Sequence, residues 1–141
     1  SVLCLNHEAD VGLLRFDKPQ TLKTAYKLAP RGHKVQAGDG VFAYTWRPQN
    51  RSEHLFSLRQ VVTDVNRYLG PANIETTGLP RGGDSGGPLI HDKTRWIIGV
   101  TSAADHHNRR GLYCGLSPIY DLLDHCSSGT AATPPRQASS P

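Results

Sequence analysis

The sequence predicts an all-β, antiparallel protein, a sandwich or a barrel, with one helix near its C-terminal end. Three observations predict this. The apolar runs are short and rich in β-branched and aromatic residues. Glycine and proline, 14 and 10 in 141 residues, separate those runs at close intervals. Only the stretch after Ser117-Pro118 has the spacing of a helix face.

Taken in order, Val11 to Phe16 is a short apolar strand, ended by Asp17-Lys18-Pro19. Residues 17–32 are loop-like, with Pro19, Pro30 and Gly32, and 33–37 are expected to be a strand. Ala37-Gly38-Asp39-Gly40 signals a turn, and Val41 to Trp46 is aromatic and β-branched, hence a strand. Pro48 to Ser52 is a second turn. His54 to Val65 is a long β-prone run. Residues 66–86 are loop-rich. Pro88 to His91, Arg95 to Ser102 and Gly111 to Leu116 follow as three strands. Ser117 suits a helix cap, Pro118 suits a first turn, and Ile119, Leu122 and Leu123 give Ile119 to His125 one apolar face. From Ser127 the composition is almost wholly Ser, Thr, Ala, Gly, Pro and Gln, which cannot bury enough surface to fold, so 127–141 is expected to be a disordered tail.

Charge excludes several function classes. The net charge is +4, with 16 Lys and Arg scattered along the chain. No long basic run and no basic stripe interleaved with aromatics occurs, which argues against nucleic acid as a partner. No apolar stretch is long enough to span a bilayer. The three cysteines, Cys4, Cys114 and Cys126, form neither a CxxC nor a Cys/His zinc pattern, so no metal site is expected. An odd count points to a partner outside the chain or to a free thiol. With no methionine present, residue 1 is not expected to be a translational start.

Residues 82–90, Gly-Gly-Asp-Ser-Gly-Gly-Pro-Leu-Ile, carry the chemistry. An acyl-transfer nucleophile needs an exposed hydroxyl and nearby backbone N–H groups aimed at the developing oxyanion. Glycine at 83 permits φ > 0 and leaves no Cβ in a substrate's way. Gly86 and Gly87 permit close packing behind Ser85. A Gly-x-Ser-x-Gly elbow also fits residues 83–87. That elbow needs a helix to follow, and here Pro88 opens a strand.

The string Gly-Asp-Ser-Gly-Gly-Pro-Leu resembles the nucleophile loop of the chymotrypsin/trypsin-like serine proteases. Ala9 to Phe16 resembles that family's aspartate motif, an Asp followed by an apolar strand. Arg95 to Ser102 resembles the strand that follows the nucleophile, and Gly111-Leu112-Tyr113 the Gly-Val-Tyr strand of the specificity pocket. The resemblance covers roughly residues 9–126. It implies a six-stranded antiparallel barrel, the second barrel of the chymotrypsin-like fold, with a closing helix. Residues 1–16 would be the last strand of an incomplete first barrel, 17–32 a connecting segment, and 33–126 the second barrel and helix.

The resemblance implies a serine endopeptidase that needs no cofactor. Ser85 would be the nucleophile, with Gly83 and Ser85 as oxyanion-hole amides. Asp10 would orient the catalytic histidine. Asp84 would be a buried structural acid whose partner the sequence leaves open. A partner is required, because a buried unpaired carboxylate is costly. Ser102, Ala103 and Ala104 would form the substrate-binding edge. Leu79 would lie near the pocket base and Gly111 would leave the pocket mouth open, which together favour an apolar or aromatic side chain.

The catalytic base is missing. The family's histidine precedes its aspartate by many residues, and only His7 stands before Asp10. A separate chain or an upstream half would supply it, and this chain alone would be inactive. The alternative is a non-catalytic homologue, a binding or regulatory module. The partner of the enzyme would be a polypeptide substrate, and family habit places it outside the cell. Cys4 would pair with a residue of the missing half. Arg81 stands where the family usually has a cysteine. Asn50-Arg51-Ser52 fits a glycosylation acceptor.

Overall fold

A computed structural model describes residues 1–23, 25–49, 52–66 and 73–126. The expected tail and the Asn50-Arg51 part of the glycosylation motif lie outside the described residues.

Eight strands and one helix are present among the described residues. Strands β1 (Val2–Asn6) and β2 (Val11–Leu14) form a two-stranded antiparallel ribbon. Then come β3 (Gly40–Gln49), β4 (Ser52–Asp64), β5 (Asn73–Thr76), β6 (Pro88–His91), β7 (Ile97–Asp105), β8 (Arg110–Cys114) and helix α1 (Leu116–Cys126). Strands β3 to β8 close into a six-stranded barrel in the order β3-β4-β5-β8-β7-β6, every pair antiparallel. Closure leaves the barrel without a free edge.

Alternation along the strands fills the barrel. Val41 and Ala43 of β3, Val62 of β4, Ile74 of β5, Leu89 of β6, Ile98 of β7 and Tyr113 of β8 form one buried cluster. A buried polar network crosses it. Gln60 Oε1 accepts hydrogen bonds from Tyr113 Oη at 2.9 Å and from Thr76 Oγ1. Burial pushes the Tyr113 phenol above its usual range.

The structure departs from the sequence reading at five places. Residues 33–37 are not a strand. Val35 only packs on the core from outside, because Gly38 and Asp39 already pair with Val62 at the barrel rim. Strand β5 lies inside the stretch read as loop; four residues flanked by Gly and Pro show too little alternation to stand out. Residues 1–16, expected to hold one strand, hold two, β1 and β2. Helix α1 starts at Leu116, so Ser117 and Pro118 sit in its first turn. Finally, Cys4 bonds to Cys126 within the chain, across 122 residues, and not to an outside partner. The odd thiol is Cys114, which is buried and free.

That disulfide sits where α1 packs. Cys4, Leu122 and Cys126 form a second small core, with Leu3, Val11 and Leu13 against it. The closing helix therefore rests on the β1–β2 ribbon. The segment before the barrel is docked as well: Ala29 N donates to Ile97 O at 2.9 Å, and Ile97 N donates to Lys27 O at 2.8 Å. Arg31 reaches Asp124 of α1 with both guanidinium nitrogens. Helix, ribbon and β7 are thereby held in one arrangement, and the candidate site is built on β7.

Candidate active site

The site begins with the loop from Arg81 to Gly87. Asp84 is buried, and its carboxylate is fully engaged. Oδ2 accepts from Thr45 Oγ1 at 2.7 Å and from Arg81 N at 2.8 Å, while Oδ1 accepts from Trp46 N at 2.8 Å. Burial pushes this carboxyl up. The two backbone amides, the Thr45 hydroxyl and the nearby Arg47 charge outweigh that and hold it below its ordinary value. The partner of Asp84, open in the sequence, is strand β3 together with the start of its own loop.

Anchoring Asp84 inward turns Ser85 outward; Ser85 is exposed. Gly83 has φ of 97°, a conformation that side-chain-bearing residues rarely adopt, and a Cβ there would meet no atom within 4 Å. The glycine serves backbone conformation and an open approach. Among the described residues, neither the Gly83 nor the Ser85 amide donates to a protein acceptor. Both N–H groups are available to an incoming oxyanion.

Strand β7 joins this loop to Asp10. Gly86 N donates to Thr101 O at 2.9 Å, and Thr101 N donates to Gly87 O at 2.8 Å. One residue on, Ser102 Oγ donates to Asp10 Oδ2 at 2.6 Å, across 92 residues of sequence. The register of β7 on β8 shifts between Thr101 and Ala103, so Ser102 sits at a bulge, a feature that re-aims a side chain. Asp10 itself has φ of 54° at the end of the β1–β2 turn, closed by Asp10 N to His7 O and by Ala9 N to Asn6 Oδ1. The structure thus brings Asp10 and the Ser85 loop to adjacent residues of one strand.

A family model described as Trypsin matches residues 4–124. The chain belongs to the trypsin family.

Among curated proteins none matches. A point mutant of human heparin binding protein is similar in structure, with a TM-score of 0.68 and 22% identity over 92% of this chain and 65% of that one. A double mutant of the same human protein has a TM-score of 0.62, with 18% identity over 84% of this chain and 58% of that one. A catalytically inactive tobacco etch virus protease, in complex with substrate, has a TM-score of 0.55 and 16% identity over 80% of this chain and 50% of that one. At these identities the likeness concerns the fold. The chain spans less than two thirds of the length of each of these structures.

In this trypsin-family chain no described imidazole meets Ser85 or Asp10. His91 Nδ1 accepts from Lys93 N and Thr94 N, and its Nε2 lies 3.7 Å from Asp39. His33 stacks edge-on against His91 and Trp96. His125 Nδ1 contacts Asp121 O within α1. His7 is exposed in the β1–β2 turn.

The residues expected to bind substrate are placed as follows in the barrel. A Cβ on Gly111 would fall 2.7 Å from Gly78 O, 2.9 Å from Thr76 Oγ1 and 3.0 Å from Pro80 Cδ. Gly111 lets the 78–80 segment pack closely onto β8. Leu79 lies in a cavity of about 580 Å³ whose lining includes Arg47, Arg59, Arg81, Arg109 and His106, so its surroundings are cationic. Ala103 and Ala104 stand on β7 opposite Leu112 and Gly111. A second cavity, of about 500 Å³, lies against Ser85 and is walled by Tyr44, Trp46 and Leu55.

Sequence reading missed Thr45 and the Trp46 amide as the anchor of Asp84, and the arginines around Leu79. No local pattern signals either. They meet only because β3 and β4 pair and curl under the 78–84 segment.

Proposed function

We propose that this chain carries the nucleophile side of a serine endopeptidase. Ser85 attacks a peptide carbonyl, the amides of Gly83 and Ser85 take up the oxyanion, and an acyl-enzyme forms and is then hydrolysed. Asp10 orients the histidine and stabilises its imidazolium form. The observation that carries this reading is the Ser102–Asp10 hydrogen bond of 2.6 Å, which holds a carboxylate one residue from the strand position that pins the Ser85 loop.

The imidazole comes from outside these 141 residues, on a separate chain or an upstream half. Exposed Val2, Leu14 and Phe16, at the end of the β1–β2 ribbon away from the Asp10 turn, support a polypeptide packing on this ribbon. The Cys4–Cys126 disulfide supports an oxidising, extracellular setting.

A second reading, a non-catalytic binding module, is favoured by the lack of a histidine at the site among the described residues. A fluorophosphonate probe separates the two. The chain alone should not label. The chain extended by its upstream coding sequence should label, and Ser85→Ala should abolish that signal. Labelling that survives Ser85→Ala refutes the enzyme reading, and no labelling in the extended protein refutes an upstream half as the source of the histidine.

A further inference from the structure

The cavity beside Leu79 has a chemistry that the nucleophile loop does not use. Its lining holds four arginines and a histidine, and no carboxylate. Arg59 is partly committed, 3.6 Å from Asp92. Among the described residues, Arg81 and Arg109 make no ion pair, and Arg47 makes none within 4 Å, although its charge acts on the buried Asp84. Arg47 Nε is also buried with no hydrogen-bond acceptor. A buried orphan donor on a permanently charged group calls for an anionic acceptor.

The position of the cavity says which anion. Gly82 lines this cavity and Gly83 lines the one against Ser85; Arg47 lines this one and Trp46 the other. Trp46 and Arg47, consecutive on β3, face opposite sides of the sheet, so the two spaces neighbour each other only through the Gly82–Gly83 segment of the loop that carries Ser85. A polypeptide whose carbonyl reaches the Gly83 and Ser85 amides can place a neighbouring side chain among the arginines. A volume of about 580 Å³ suits one or a few side chains, and a carboxylate can accept two parallel N–H bonds from a guanidinium.

We infer that this cavity is a selectivity subsite for an acidic side chain, Asp or Glu, of the polypeptide substrate. The inference rests on the reading of Ser85 as the nucleophile of a peptidase, but its test needs no turnover.

The test is calorimetric titration of the chain with blocked heptapeptides of Ala and Gly carrying two central Glu, Gln or Lys residues. The Glu peptide should bind at least tenfold more tightly than the Gln peptide, and the Lys peptide should bind least. Arg81→Gln combined with Arg109→Gln, two exposed side chains, should remove that preference. Arg81→Glu should shift it toward the Lys peptide, a gain that misfolding cannot mimic. Equal binding of Glu and Gln peptides overturns the inference, as does an unchanged preference in both variants. Displacement of the Glu peptide by a sulfated oligosaccharide at lower concentration also overturns it, since the cavity would then serve a polyanion. A failed titration alongside Ser85-dependent labelling of the extended protein overturns the subsite and leaves the nucleophile standing. Tight Glu binding with labelling that survives Ser85→Ala does the reverse.

Discussion

Replacing Asp84 by asparagine tests the anchor that turns Ser85 outward. The carboxylate accepts three hydrogen bonds, two at Oδ2 and one at Oδ1. Asparagine has one acceptor oxygen. Placed at the Oδ2 position it keeps Thr45 Oγ1 and Arg81 N, and its NH₂ then faces Trp46 N, donor against donor. Leaving a buried N–H unsatisfied and removing a charged acceptor costs about 2–3 kcal/mol. For a domain of this size that lowers Tm by about 8–12 °C. Trp46 adjoins the bond in question, so urea unfolding followed by tryptophan fluorescence suits the measurement.

The cost should also depend on pH. The folded-state value of Asp84 lies below its ordinary 3.8, so its charged form is the one the native state favours. Its contribution is fully present above pH 3.8 and is lost as pH falls through the lower, folded-state value. The difference between wild type and Asp84→Asn should therefore be largest near pH 7 and shrink as pH falls below 3.8 and through the lower, folded-state value. A cost under about 0.5 kcal/mol at neutral pH, the range of an ordinary surface change, would refute the anchor. So would a cost that persists undiminished in acid.

Two further predictions concern packing and thiols. Gly111→Ala forces a methyl into contact with Gly78 O, Thr76 Oγ1 and Pro80, and should cost about 1–3 kcal/mol by thermal unfolding; an unchanged Tm would mean that the 78–80 segment is not seated on β8. Burial, with a smaller push from the Asp10 charge, raises the Cys114 thiol to about 12. Iodoacetamide at pH 8 should accordingly label no cysteine in the native chain, one after denaturation, and all three after denaturation with reduction. Two labelled cysteines in the unreduced denatured chain are impossible if Cys4 and Cys126 are bonded, and three would exclude the bond.

The sequence by itself determined the fold class, and the reason is local. Val41 to Trp46, Pro88 to His91 and Arg95 to Ser102 carry β propensity and alternation within a few residues, and Ile119 to Leu123 carries a helical face. Each is legible without knowing its neighbours. The Gly-Asp-Ser-Gly-Gly string is legible for a similar reason, since the backbone freedom it needs is a property of those residues alone. What the tertiary structure decided depends on contacts between distant segments. Cys4 meets Cys126 only because α1 folds back onto the β1–β2 ribbon. Ser102 meets Asp10 only through the bulge in β7. The surroundings of Leu79 are cationic because β4 and the β7–β8 turn converge on it. Gly111 shows the difference most directly. Nothing at this residue signals contact with a segment 33 residues earlier, and only the packed barrel brings Gly78 O within 2.7 Å of where its side chain would be.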